Sequence, residues 1–143
     1  MTVETMPVLG AVPTAGGTAF RVWAPNAGSV SVLGRELERG EGGVWEAELD
    51  LPVGSDYRYA LDGAEWPDPC SRFQPEGVRG PSRVIDTRAF EWRDDGWPGL
   101  SLAELVIYEL HVGTFSAAGT FGGAIPYLDG LRELGVTAIE LMP

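Results

Sequence analysis

With 143 residues, 44% of them apolar, and a mean hydropathy near zero, the chain can bury one real core but cannot hold a domain plus a whole (β/α)8 barrel of about 250 residues. Its net charge of −11 sets 21 acidic residues against 10 basic ones, all arginine and nowhere clustered, which argues against a nucleic-acid partner. A single cysteine, Cys70, permits no internal disulfide and fits a reducing compartment; with no signal peptide and no apolar run of membrane-spanning length, a cytoplasmic protein without membrane attachment is expected.

Twenty glycines and eleven prolines predict many turns and short strands. Met1 to Gly17 reads as a Gly/Pro/Thr-punctuated lead-in, with Val8–Val12 as a first short strand. From Thr18 to Leu61 the apolar period is two. Phe20 and Val22 alternate with Ala19, Arg21 and Trp23, and Val30 and Val32 with Ser29 and Ser31. Trp45, Ala47 and Leu49 alternate with Glu46, Glu48 and Asp50, and Tyr57, Tyr59 and Leu61 with Arg58, Ala60 and Asp62. Pro25-Asn26, Gly40 to Gly43, Pro52 to Ser55 and Asp62-Gly63 supply turn chemistry between these runs. Several short, half-buried strands at this spacing predict a small antiparallel β-sandwich.

Trp66 to Ser82 is a proline-pinned connector, and Val84 to Trp97 is expected to lead onward from it. Val106 to Val112 is a β-rich apolar run, followed by a Gly/Ser/Thr loop from Gly113 to Gly123. Ile125, Leu128, Leu131 and Leu134 then recur at helical spacing, closed by Gly135, and Val136 to Met142 is a second β run. Two apolar strands around one amphipathic helix predict a βαβ unit with a parallel pair. Pro126 would disturb a helix already begun, so a start near Pro126 is expected.

Tyr108-Glu109-Leu110-His111-Val112-Gly113-Thr114-Phe115, Gly119-Thr120-Phe121 and Leu134 to Pro143 resemble the first strand, first helix and second strand of an α-amylase-superfamily barrel, glycoside hydrolase family 13. Within it the malto-oligosyltrehalose trehalohydrolases are most similar. Gly113-Thr114-Phe115 fits them better than the Gly-Ser-Trp of branching enzymes or the Arg-Gly-Phe of debranching enzymes. The connector's Pro67-Asp68-Pro69-Cys70-Ser71-Arg72-Phe73-Gln74-Pro75 and Gly77-Val78-Arg79-Gly80-Pro81-Ser82 also resemble that family, with Cys70 where alanine is usual. The resemblance runs from Thr18 to Pro143.

It implies an immunoglobulin-like sandwich of the early-set type over residues 1–90, including the connector at 66–82, then an incomplete barrel start over residues 91–143. It implies a glycosidase that cleaves the α-1,4 bond beside the trehalose end of malto-oligosyltrehalose by the retaining route, with two carboxylates about 5 Å apart. In that family the carboxylates stand on later strands, so no catalytic residue is expected here and the 143 residues are expected to be inactive alone. Neither cofactor nor metal is expected, and the oligomeric state is left open. A branching or debranching enzyme, and a non-catalytic glucan-binding module, stay open as alternatives.

Other candidates have plainer readings beside them. Glu109 and Glu140 interrupt apolar strands and read as a glycosidase pair or as packing residues, the latter favoured by their positions in the family. His111, the one histidine, is a substrate-lining candidate at the end of the first strand, or a structural residue. Of the tryptophans, Trp45 is expected in the core, Trp23 in either setting, and Trp66, Trp92 and Trp97 in docking contacts rather than as sugar platforms.

Overall fold

The computed structural model describes residues 8–143, so the first seven residues of the lead-in lie outside the described residues. The chain divides into two compact units, the first ending at Glu91 and the second running from Trp92 to Pro143.

The described residues of the first unit form ten short strands: β1 (Gly10–Thr14), β2 (Gly17–Trp23), β3 (Val30–Val32), β4 (Arg35–Glu36), β5 (Glu38–Arg39), β6 (Val44–Leu49), β7 (Asp56–Tyr57), β8 (Tyr59–Leu61), β9 (Ala64–Trp66) and β10 (Ser82–Arg83). One antiparallel sheet has the order β1-β2-β6-β5 and a second the order β4-β3-β8-β9, with β10 paired to β7. Period-two alternation explains why these residues form strands with one buried side. Phe20, Val22 and Trp45 from the first sheet, and Val30, Val32 and Tyr59 from the second, belong to one buried cluster. This is the predicted sandwich.

Aromatic rings join the two layers. Phe20 meets Tyr57 edge-on at 5.0 Å between centroids, and Tyr57 meets Tyr59 at 5.8 Å. Trp45 is buried and its indole N–H donates to the Ala24 carbonyl at 3.0 Å. Thr18 is fully buried although polar, because its hydroxyl donates to the Leu51 carbonyl at 2.6 Å.

The turns follow their residues. Asp62 and Gly63, at φ +50° and +86°, make the two-residue turn between β8 and β9, and Asp62 Oδ1 accepts from the N–H groups of Gly28 and Ser29. Gly17 opens β2 at φ +139°, where a Cβ would overlap the Leu49 carbonyl.

The end of the connector departs from the sequence expectation. Ser82, the last residue of the predicted connector, is a fully buried strand residue, and Val84 belongs to the sandwich core instead of leading away from it. Val84 N donates to Ser55 O at 2.9 Å, and its carbonyl accepts from Gly54 N at 2.8 Å.

The second unit contains β11 (Ile107–Leu110), α1 (Val112–Phe115), α2 (Phe121–Ala124), α3 (Leu128–Glu133) and β12 (Ala138–Leu141). β11 and β12 pair in parallel, with Tyr108 beside Ile139 and Glu109 beside Glu140. A parallel pair needs a crossover between its strands, and the helical segments supply it. The helix does not wait for Pro126. Thr120 caps α2, its Oγ1 accepting from Gly123 N at 3.1 Å, and the chain passes Pro126 in a 3-10 turn over Ile125–Tyr127 before α3. Proline withholds an N–H from the helical ladder, and the tighter turn, with Leu128 N donating to Ile125 O, replaces the lost bond. No helix among the described residues is long and apolar enough to cross a membrane.

Candidate functional site

The parallel register brings two of the sequence candidates together. Glu109 and Glu140 occupy neighbouring ladder positions on β11 and β12, at strand spacing of about 4.8 Å, and both are exposed. Carboxylates side by side on one sheet face address a ligand from the same side. A retaining glycosidase pair instead flanks the scissile bond.

His111 follows Leu110 directly at the C-terminal end of β11 and is exposed. Its Nδ1 lies 3.3 Å from Thr114 Oγ1, a neighbour from its own turn. Among the described residues, no group of three or more His, Cys, Asp or Glu side chains is placed to hold a metal ion.

The tryptophans separate clearly. Trp45 alone is buried, at 6% exposure, whereas Trp23 and Trp66 keep more than half of their surface in solvent, at 57% and 58%. Trp92 and Trp97 are likewise exposed. Trp23 is fixed in place, its indole N–H donating to the Gly42 carbonyl at 3.0 Å. Trp66 ends β9, the outer strand of its sheet, opposite Tyr59 in register. Flat exposed rings are the sandwich's groups best suited to a sugar face.

A buried polar cluster went unnoticed in the sequence. Asp68, within the connector, is 2% exposed. Its Oδ2 accepts from the Tyr57 hydroxyl at 2.5 Å, its Oδ1 from Cys70 N at 2.7 Å, and its own N–H donates to Ser82 Oγ at 3.1 Å. Asp68 thus ties the connector to β7 through its carboxylate and to β10 through its main-chain N–H. Burial raises the Asp68 carboxyl above its usual range; the Tyr57 and Cys70 hydrogen bonds and the charge of Arg72 act the other way. The same burial, with Asp68 beside it, drives the Tyr57 phenol upward, and burial also raises Tyr59 and Cys70. Gly10, at φ +92°, lets the backbone of β1 approach this cluster: a Cβ there would stand 2.9 Å from the Cys70 carbonyl. The sequence shows only a proline-pinned connector here, since the partners Tyr57 and Ser82 are distant from Asp68 along the chain.

Residues 8–81 match the carbohydrate-binding module 48 family, the isoamylase N-terminal domain. The chain is 45% identical over 141 residues to the malto-oligosyltrehalose trehalohydrolase of Deinococcus radiodurans, covering 94% of this chain and 24% of that one. It is 48% identical over 134 residues to the enzyme of the same name from Saccharolobus solfataricus, covering 89% and 24%. A 1,4-α-glucan branching enzyme of Corynebacterium jeikeium is more distant, at 31%. Among solved structures, a Salmonella typhimurium protein put forward as an α-amylase superposes with a TM-score of 0.88 at 39% identity, covering 94% of this chain and 24% of that one. The chain spans about a quarter of the length of the curated relatives it matches. With two sheets closed over one aromatic core and the match taking in residues 8–81, more than half of the chain, the chain belongs to the carbohydrate-binding module 48 family.

Proposed function

We propose that the chain is the N-terminal part of a malto-oligosyltrehalose trehalohydrolase, a glycoside hydrolase that cleaves the α-1,4 bond next to the trehalose end of its substrate. One observation carries this reading: the identity to trehalohydrolases extends over 94% of the chain, so it takes in the second unit as well as the sandwich. A free-standing binding module would have no need of a parallel β-α-β segment. In this reading residues 1–90 are the accessory sandwich, and residues 91–143 begin a (β/α)8 barrel with β11 and β12 as its first two strands. The nucleophile and the acid stand on later strands, Glu109 and Glu140 pack within the barrel, and His111 faces the sugar cleft at the strand ends.

The test has two steps. In source cells, an antibody against the sandwich is expected to find a band at several times the 15.3 kDa of these 143 residues. That larger protein is expected to release trehalose from malto-oligosyltrehalose, and the 143-residue polypeptide none. A native band at 15.3 kDa, or trehalose release by the short polypeptide, overturns the reading. A larger protein that instead makes or cuts α-1,6 bonds in glycogen is a branching or debranching enzyme.

The exposure of Trp66, in a carbohydrate-binding family, favours a second, compatible reading in which the sandwich itself holds glucan. Maltoheptaose titrated into the 143-residue chain is then expected to change tryptophan fluorescence. Trp66→Ala is expected to weaken that binding about tenfold, corresponding to one lost ring stack. Equal affinity in parent and variant removes Trp66 from the reading.

A further inference from the structure

His111 is the one histidine of the chain, and its ring folds back over the turn that follows β11. Gly113 makes room for it. A Cβ on that residue would stand 2.9 Å from His111 Cε1 and 3.4 Å from Nδ1, so a side chain there would push the ring aside. The backbone of Gly113 is not in the left-handed region; what the ring needs is the missing side chain.

Thr114 Oγ1 then lies 3.3 Å from Nδ1 and 3.3 Å from the His111 carbonyl oxygen. One hydroxyl carries one proton and can give it to only one of the two. The carbonyl already accepts from Thr114 N at 3.1 Å and from Phe115 N at 3.0 Å, which occupies both of its lone pairs. Nδ1 has no other donor among the described residues. The hydroxyl proton therefore goes to Nδ1. A ring nitrogen that accepts carries no proton, so the neutral imidazole holds its own proton on Nε2.

We propose that Gly113 and Thr114 are positioning residues for His111: they fix the ring as its Nε2–H tautomer and present that N–H as a donor to a hydroxyl oxygen of a glucose unit. The substrate half rests on the trehalohydrolase reading, in which the C-terminal strand ends face the sugar cleft. A donor already fixed in place loses less freedom on binding than a ring that turns and exchanges tautomers.

Long-range proton–nitrogen NMR on the 143-residue chain tests the positioning directly, because a single imidazole contributes. At alkaline pH, where free imidazole is neutral, the parent is expected to show a bare Nδ1 and a protonated Nε2. Thr114→Val is expected to move both nitrogen shifts toward those of a mixed population, and Thr114→Ser to keep the parental spectrum. Should Thr114→Val lose its fold by circular dichroism, Gly113→Ala decides, since it displaces the ring, keeps the hydroxyl and favours the helical backbone. A parent protonated on Nδ1, or a parental spectrum in the valine or alanine variant, overturns the proposal. In the larger protein, Thr114→Val is expected to raise KM for malto-oligosyltrehalose about fivefold at constant kcat, the scale of one neutral hydrogen bond, and Thr114→Ser to restore it. An unchanged KM overturns the substrate contact. A larger protein that releases no trehalose refutes the functional reading instead, and the NMR result then decides the positioning by itself.

Discussion

Asp68→Ala is expected to destabilise the sandwich by about 3 kcal/mol, the scale for stranding buried hydrogen-bond partners of a charged group. The alanine leaves the Tyr57 hydroxyl and the Cys70 amide without their acceptor in a site only 2% exposed. Urea unfolding followed by fluorescence reads the loss through Trp45, whose environment changes most on unfolding. Asp68→Asn keeps the shape and an acceptor oxygen, so its cost is expected to stay near 1 kcal/mol at neutral pH. Equal losses for the two variants would show that the hydrogen bonds do not hold the connector.

The Asp68 pair of variants also carries a pH dependence. Burial raises the carboxyl in the folded protein, so the native state keeps its proton to a higher pH than the unfolded chain, which releases it near the ordinary value of 3.8. The contribution of this group to stability is therefore full below that value and is lost as pH rises through the folded pKa. Relative to Asp68→Asn, the parent is expected to lose stability over that interval and then run parallel to it. A difference that grows in the parent's favour with rising pH reverses the sign and shows that the hydrogen bonds outweigh burial.

Phe20→Ala is expected to cost about 4 kcal/mol, within the range for removing a buried aromatic ring and leaving a cavity. Phe20 is fully buried between the layers and packs edge-on against Tyr57 at 5.0 Å. Tyr57 is held in turn by Asp68, so the cavity cannot collapse without disturbing the polar cluster. A double-mutant cycle of Phe20→Leu with Asp68→Asn is the sharper check, since residues linked through one neighbour are expected to couple by about 0.5 kcal/mol or more. A midpoint unchanged by Phe20→Ala would mean that the core lies elsewhere.

Periodicity made much of the sandwich legible in advance. The alternation around Phe20, Val30, Trp45 and Tyr59 is a consequence of strand pleating, which sequence displays directly. The Asp62-Gly63 turn was equally readable, because few residues adopt positive φ cheaply. What stayed hidden depends on who meets whom. Thr18 is buried because the Leu51 carbonyl, 33 residues on, accepts its hydroxyl proton. Asp68 is buried because Tyr57 and Ser82 converge on it. No local pattern encodes such partners. Pro126 shows a milder limit, since a proline can be met by a helix break or by one tighter turn, and the choice lies in the neighbouring backbone.

The place of Val84 has a consequence for how the protein is made. This residue is fully buried in the sandwich and closes the ladder onto Gly54 and Ser55. Until Val84 has emerged, the nascent sheets lack a core residue and β7 lacks its neighbour β10. The sandwich is thus expected to condense only after its connector has been synthesised, so chaperone contacts with the growing chain should persist past Trp66 and fall away soon after Val84 is exposed.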